Sequence, residues 1–434
     1  MQKIQYVSAD DAVKIVKSHD HIHISSAASV PFILIEALCR RADLGEIIDI
    51  HFHHSYTEGP AKYASSKYEG IFFDQAFFVG PTLRSKVARG IADYIPVHLS
   101  ETQRLYRIGA LPCNVAMISV STPSKGGYVS LSGAVDCSLA AIEVADTVIA
   151  VVNPNLPHTY GDALVKLDRI DYFVYDDRPL VEHVSMIPSE IEEKIAINCS
   201  ELIDDGACLQ LGIGALPDAL AFYLRSRKDL GIHTEMFSAG VFELMKSGVI
   251  TGANKKIDKG KVVSSFFLGT QELYDFVDFN RQIKMMDIGY VNNPYIIAKN
   301  PKVVAINSAV QIDLTGQICA DSIGDKVISG TGGQLDFVKG AIMSEGGISI
   351  TAFASRTKIG ISKITPFLTE GAGVVTPRPD ARWIVTEYGK VNLYGKSMQE
   401  RAKLLISISH PDDRERLDAA AYDRFGKNFH NFEV

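Results

Sequence analysis

A glutamate stands in an unexpected place in the stretch GIHTEMFSAG, residues 231 to 240. Ile232, Thr234 and Met236 alternate with His233 and Glu235 at the period of a strand, and Ser238-Ala239-Gly240 break the run before the helix-like VFELMKSG. Glu235 therefore falls at a strand end, just ahead of a turn. Most glutamates are surface carboxylates or ion-pair partners, but a second feature gives this one a context. In LQLGIGALPDAL, Gly212 and Gly214 lie between a strand and a helix. Glycine lets backbone N–H groups approach an anion, and a helix N-terminus adds partial positive charge. A tight turn built for geometry alone would use the same residues. One helix and a return strand separate this turn from Glu235, so both can open onto the carboxyl edge of one sheet, where open α/β sheets bind ligands. A carboxylate facing glycine-turn donors is an arrangement for acyl transfer.

Other residue patterns carry competing chemistry. SGTGGQLDFVKGA, residues 329 to 341, is a second glycine-rich turn, and its glycines cost backbone entropy that packing alone rarely repays. Ligand contact, a bulge or an unusual turn would each use it. His21 and His23, and likewise His51 and His53, share one face of their strands, with His54 opposite. An H-x-H at a strand end is compatible with a zinc hydrolase. His98, His158, His183 and His233 supply no ligand cluster beside it, so we read packed or hydrogen-bonded strand histidines and no metal. The third glycine of a dinucleotide fingerprint is missing, and neither a P-loop nor a G-x-S-x-G elbow is present.

The elements around these residues read as α/β. HIHISSAASVPFILIEAL and CLQLGIGALPDALAFYL are both an apolar strand, a small-residue turn, a proline and an apolar helix. Superposing Pro31 on Pro217 lays Ser26-Ala27-Ala28 over Gly212-Ile213-Gly214, which suggests two units of similar design; such units are common enough to arise by chance. The charged, proline-bearing YDDRPLVEHVSMIPSE suits a linker between them, and Ser189 with Glu192 behind Pro188 fits a helix-starting capping box. VAMISV, TVIAVV, KVVSSFFLG and VVAINSAV read as buried strands of parallel sheets covered by helices.

Bulk properties narrow the class. The 434 residues are 46% hydrophobic and 22% charged, with a net charge of −7, and their basic residues are scattered. That is globular composition without a nucleic-acid footprint. The most apolar run, SLAAIEVADTVIAVV, is broken by Glu143 and Asp146, so no membrane span is expected. Acidic residues near the start speak against a signal peptide, and six cysteines without a C-x-x-C pair read as thiols in a reducing compartment, the cytoplasm.

Taken in order along nearly the whole chain, IPVHLSETQRLY, VNPNLPHTYGD, LQLGIGALPDAL, GIHTEMFSAGV, DKGKVVSSFFLGTQELYDF, VAINSAVQIDLTGQ, SGTGGQLDF and VTEYGKVNLYGKSMQERAKLLISISHP resemble the acetyl-CoA hydrolase/transferase family. Within it they are most similar to the 4-hydroxybutyrate and butyryl-CoA:acetate CoA-transferases. The resemblance implies two α/β domains of the NagB/RpiA-like CoA-transferase type, with mostly parallel sheets flanked by helices. They would span 1–183 and 184–434, with the active site between them. It implies exchange of coenzyme A between a short-chain acyl-CoA and a carboxylate, 4-hydroxybutyrate or butyrate with acetyl-CoA, by ping-pong steps. Hydrolysis of the thioester at the same site is the alternative. Glu235 maps onto the family's covalent nucleophile, which would carry a glutamyl-CoA thioester. Gln210, Gly212, Ile213, Gly214, Ala215 and Leu216 map onto one CoA-binding and oxyanion region, and Ser329, Gly332, Gly333 and Gln334 onto a second, with Lys358 of SRTK a further candidate. Coenzyme A would be a co-substrate, with no tightly bound cofactor, and a homo-oligomer (dimer or tetramer) is implied. One departure stands out. Many relatives carry an acidic residue and a histidine where VSTPSKGGYVSLS has Ser124-Lys125-Gly126, which bears on acyl-group specificity.

Overall fold

Strands rich in β-branched residues and buried on both faces build the centre of each half, as parallel sheets require. The structure is a computed structural model and describes residues 4–184, 186–426 and 429. The first half contributes seven strands: β1 (His21–Ile24), β2 (Ile50–His54), β3 (Phe72–Ala76), β4 (Ala92–Tyr94), β5 (Val115–Val120), β6 (Thr147–Val152) and β7 (Tyr172–Tyr175). They form one parallel sheet in the order β7-β6-β5-β1-β2-β3-β4. VAMISV is buried at every position of β5, and TVIAVV at all but the first of β6. The second half holds β8 (Cys208–Gln210), β9 (Gly231–Ile232), β10 (Val303–Asn307), β11 (Ile348–Ala352), β12 (Trp383–Thr386) and β13 (Gly389–Asn392). Their order is β9-β8-β10-β11-β12-β13, with the β12–β13 hairpin the antiparallel exception.

The two similar sequence stretches become the same local unit. β1 runs through a 3-10 turn at Ala27–Ser29 into helix α1 (Phe32–Asp43), and β8 runs through Gly212–Gly214 into α3 (Ala215–Tyr223). Between them α2 (Leu99–Arg107) packs against the helices Ser138–Val144 and Ile288–Val291, while α4 (Ala239–Lys246) and α5 (Gln334–Met343) belong to the second half. The Ser189 capping box forms, with Glu192 reaching back to the Ser189 N–H. No helix among the described residues is long and apolar enough to cross a membrane.

The halves are not independently closed. One continuous core joins Phe77, Val120 and Val135 of the first half to Leu209, Phe237 and Val304 of the second. Tyr160–Gly161 pairs in parallel with Ile283–Met285, so a first-half strand completes a second-half sheet. Arg107 donates to Asp287 at 2.8 Å across the same seam.

Two expected strands divide. The run through GIHTEMF breaks into β9 and a separate pair, Met236–Phe237 with Phe266–Phe267, and KVVSSFFLG breaks at the matching place. Side-chain and backbone bonds hold the bend: Thr234 Oγ1 bonds the Leu211 carbonyl at 3.0 Å, and the Glu235 carbonyl accepts from Ser264 Oγ, Ser265 N and Phe266 N at 2.9–3.0 Å.

The histidines on β1 and β2 meet in register, His21 beside His51 and His23 beside His53. The His21 and His51 rings stack at 4.5 Å, and His21 Nδ1 lies 2.9 Å from His53 Nε2. His23 bonds the Tyr106 and Ser138 hydroxyls, and His54 bonds Asp74. Burial, with neighbouring histidines adding to it, lowers the pKa of His53 to about 3, and burial also lowers His21 and His23. Below about pH 6.5 the unfolded chain takes up protons that these folded histidines refuse. Stability should therefore fall as pH drops from ~6.5, by up to ~1.4 kcal/mol per pH unit for fully buried His53. Chemical-denaturant midpoints at pH 7 and pH 5 measure this, and His53→Gln should flatten the dependence.

Candidate active site

Glu235 occupies the bend that splits the strand, and three bonds to its carbonyl hold the backbone there. Its half-buried side chain reaches a cavity of ≈ 200 Å³ between the halves. The first half lines this cavity with Ala27, Ser55, Tyr56, Phe78 and Leu99; the second adds Gly212, Ile213, Met236, Phe266 and Leu268 beside Glu235. Asn292 Nδ2 donates to Glu235 Oε2 at 2.8 Å. Asn292 is itself fully buried, and its Oδ1 has no partner among the described residues. The preceding carbonyl, Val291 O, is held at 2.7 Å by Nε2–H of His233, two residues before Glu235 in the chain. Burial pushes the Glu235 carboxyl up to about 7; the Asn292 bond opposes this and the nearby Asp336 charge adds to it. The carboxylate is thus poorly solvated and more basic than an ordinary glutamate.

Gly333 explains its own identity. A Cβ there would overlap Glu235 Oε2 and Asn292 Nδ2, so only a residue without a side chain lets the start of α5 approach the carboxylate. Gly214 is needed for a different reason: its φ of 113° with ψ of 178° is a backbone conformation that L side chains rarely adopt. It places an unobstructed loop at the N-terminus of α3. The first half holds the 329–333 loop in place, through Val79 N to Ser329 O (3.1 Å), Leu99 N to Gly332 O (3.1 Å) and Thr331 N to the Tyr94 hydroxyl (2.9 Å). Asp336, in the first turn of α5, accepts from Ser100 N and Oγ, and burial raises its pKa.

Not every residue expected at the site arrives there. Gly212 and Ile213 line the cavity, Gly333 touches Glu235, and Gly332 packs 3.2 Å from Phe78 if given a Cβ. Gln210 is buried between strand tips, its Oε1 accepting from Ile306 N and Asn307 Nδ2. Ala215 and Leu216 start α3 outside the cavity lining, and Gln334 turns to the Thr376 hydroxyl. Lys358 sits in an exposed turn closed by Thr357 and Ile361, next to Arg356, which binds Asp412 and Asp413. The Ser124-Lys125-Gly126 segment forms a tight turn, Ser124 N to Tyr128 O at 2.7 Å, and does not line the cavity. No local motif singles out Asn292, Asp336, Ser100 or Tyr94. Asn292 in VNNPY looks like a helix-capping residue, the role its neighbour Asn293 takes for Pro294–Ile297. Among the described residues one buried group, His23, Asp136 and Cys137, brings three possible metal donors within 4.8 Å, though hydroxyls engage both nitrogens of His23.

Comparison with known proteins gives the family. Residues 2–185 match the acetyl-CoA hydrolase/transferase N-terminal domain, and residues 269–421 match the C-terminal domain of the same family. The chain belongs to the acetyl-CoA hydrolase/transferase family. It is 43% identical to the 4-hydroxybutyrate coenzyme A transferase of Clostridium kluyveri over 96% of both chains. It is equally 43% identical to the succinyl-CoA:acetate/propanoyl-CoA:succinate CoA transferase of Fasciola hepatica, over 96% of this chain and 87% of that one. The crystal structure of RipA from Yersinia pestis superposes with a TM-score of 0.93 at 34% identity, covering 97% of this chain and 98% of RipA. The protein is an enzyme of the CoA-transferase class.

The Gly333 contact makes a direct prediction. Gly333→Ala should leave the fold intact and displace the Glu235 carboxylate; on the reading of Glu235 as nucleophile proposed below, it should lower kcat for CoA transfer by about 10²-fold, the usual penalty for misplacing a reacting group by about 1 Å. Steady-state kinetics beside circular dichroism of the variant would test it; wild-type turnover would contradict the contact.

Proposed function

We propose that Glu235 is the nucleophile of a ping-pong CoA-transferase acting on short-chain acyl-CoA and carboxylate pairs, 4-hydroxybutyrate or butyrate with acetyl-CoA. The observation that carries this reading is the desolvated carboxylate between Asn292 Nδ2 and the Cα of Gly333, on the floor of a cavity shared by both halves. In the first step the Glu235 carboxylate attacks the thioester carbonyl and the C–S bond breaks, giving an acyl-glutamyl anhydride and CoA thiolate. The thiolate attacks the glutamyl carbonyl, the anhydride C–O bond breaks, and the first acid leaves behind a glutamyl-CoA thioester. An incoming carboxylate runs the two steps in reverse. Splitting one exchange into paired substitutions is what covalent catalysis achieves. Backbone N–H groups of the Gly212–Gly214 and Gly332–Gly333 segments are the candidate oxyanion donors, and one such donor is worth ~10²–10³ in rate. Gln210, Ala215, Leu216, Ser329 and Gln334 support those two segments in this reading, and Lys358 has no part in it.

Coenzyme A enters as a co-substrate, with no tightly bound cofactor, and the working form is a cytoplasmic homo-oligomer of subunits divided at 183/184. Thioester hydrolysis at the same site is the second reading, favoured by the family's own range of activities. The apolar cavity wall disfavours an attacking water.

Glu235→Gln should abolish transfer. Brief incubation with acetyl-CoA, borohydride trapping and peptide mass spectrometry should find the wild-type adduct on the peptide containing Glu235 and none in the variant; free CoA without an adduct would favour hydrolysis. The ionised carboxylate is the nucleophile, so kcat/KM should climb with pH and level off above about 7. A carboxyl whose folded pKa is raised costs stability once the pH exceeds its unfolded value. Glu235→Gln should therefore melt higher than wild type at pH 8, and the gap should close as pH falls from about 7 towards 4.5. A glutamine amide can also donate to the unpaired Asn292 Oδ1 after a flip of Asn292.

A further inference from the structure

We infer that the acyl pocket of this enzyme admits short uncharged aliphatic tails and rejects dicarboxylates. The inference rests on the covalent-transfer reading above and adds the substrate class to it. Among the described residues lining the cavity, Glu235 is the only charged side chain. The apolar lining is Leu99 with the packed rings of Tyr56 and Phe78, centroids 6.0 Å apart, together with Met236, Phe266 and Leu268. Burial holds the Tyr56 phenol neutral. Arg84, whose charge reaches Tyr56, donates to the Ile328 carbonyl at 2.6 Å and stays outside the lining.

An acceptor acid meets Glu235 as a neutral thioester, with its own reacting carboxylate at the glutamyl carbonyl and its tail in the cavity. An aliphatic tail gains about fourfold in binding for each methylene it buries. A second carboxylate on that tail would lose its water and find no cation, beside an Asp336 that already disfavours negative charge at Glu235. An uncompensated buried charge costs on the order of 10²-fold or more. Volume sets an upper limit as well. An apolar cavity of about 150 Å³ takes benzene, so ≈ 200 Å³ suits a tail of about four to six carbons. A hydroxyl is a lesser burden. Among the described residues Ser55 Oγ has only the Cys137 thiol at 3.4 Å as a partner, which leaves it able to pair with a hydroxyl.

The test uses the full-length enzyme with acetyl-CoA as donor and butyrate, 4-hydroxybutyrate, hexanoate and succinate as acceptors, following each acyl-CoA by liquid chromatography. Butyrate and 4-hydroxybutyrate should exceed succinate in kcat/KM by on the order of 10²-fold or more. Phe78→Ala should raise the hexanoate-to-butyrate ratio about tenfold, because it deepens the apolar wall. Succinate within tenfold of butyrate overturns the inference, as does a chain-length ratio that Phe78→Ala leaves unmoved. Transfer to none of the acids overturns the covalent-transfer reading itself, and this inference with it.

Discussion

A half-buried carboxylate pressed against a backbone is the constraint on which this structure turns. Burial penalises the charge of Glu235, and the side-chain bond it receives from Asn292 offsets that only in part. A protein that maximised stability would place an apolar residue there. Much nearby architecture reads as support for keeping it: three bonds on the Glu235 carbonyl, a neutral histidine steadying the residue before Asn292, and a glycine where any side chain would collide. The cost in stability and the gain in basicity share one physical origin.

The site also explains why the halves share a core. The 329–333 loop has little regular structure and draws its donors and acceptors from Val79, Tyr94 and Leu99 across the seam. Such a loop keeps one conformation only while the seam is closed, and the seam closes because Phe77 and Val135 pack into the same core as Leu209 and Phe237. A site assembled from two surfaces can exclude water between them, which electrostatic stabilisation of a transition state requires. The histidines of β1 and β2 belong to the scaffold: His21, His51 and His53 stack and bond along the sheet, and His23 bonds the helix hydroxyls of Tyr106 and Ser138.

Much of this was legible in the order of residues. Continuous β-branched runs marked β5 and β6 as buried parallel strands, since only a strand covered on both faces loses polar alternation. The capping box at Ser189 needed only local hydrogen bonds. The two strand-turn-helix units were visible because each is a local pattern. The position of Glu235 beside a glycine turn could be inferred, but the bend that aims it could not. That bend depends on Ser264, Ser265 and Phe266, about thirty residues away.

By itself the sequence determined the α/β class and the family, because periodicity, turn chemistry and motif order are properties of neighbours along the chain. Tertiary structure alone decided that Asn292 holds the carboxylate, that Asp336 lies close enough to oppose its charge, that Gln210 and Lys358 face elsewhere, and that the cavity wall is apolar. Each of those outcomes depends on which distant side chains meet and on how much water their meeting displaces. Neither quantity is written in any local stretch of residues.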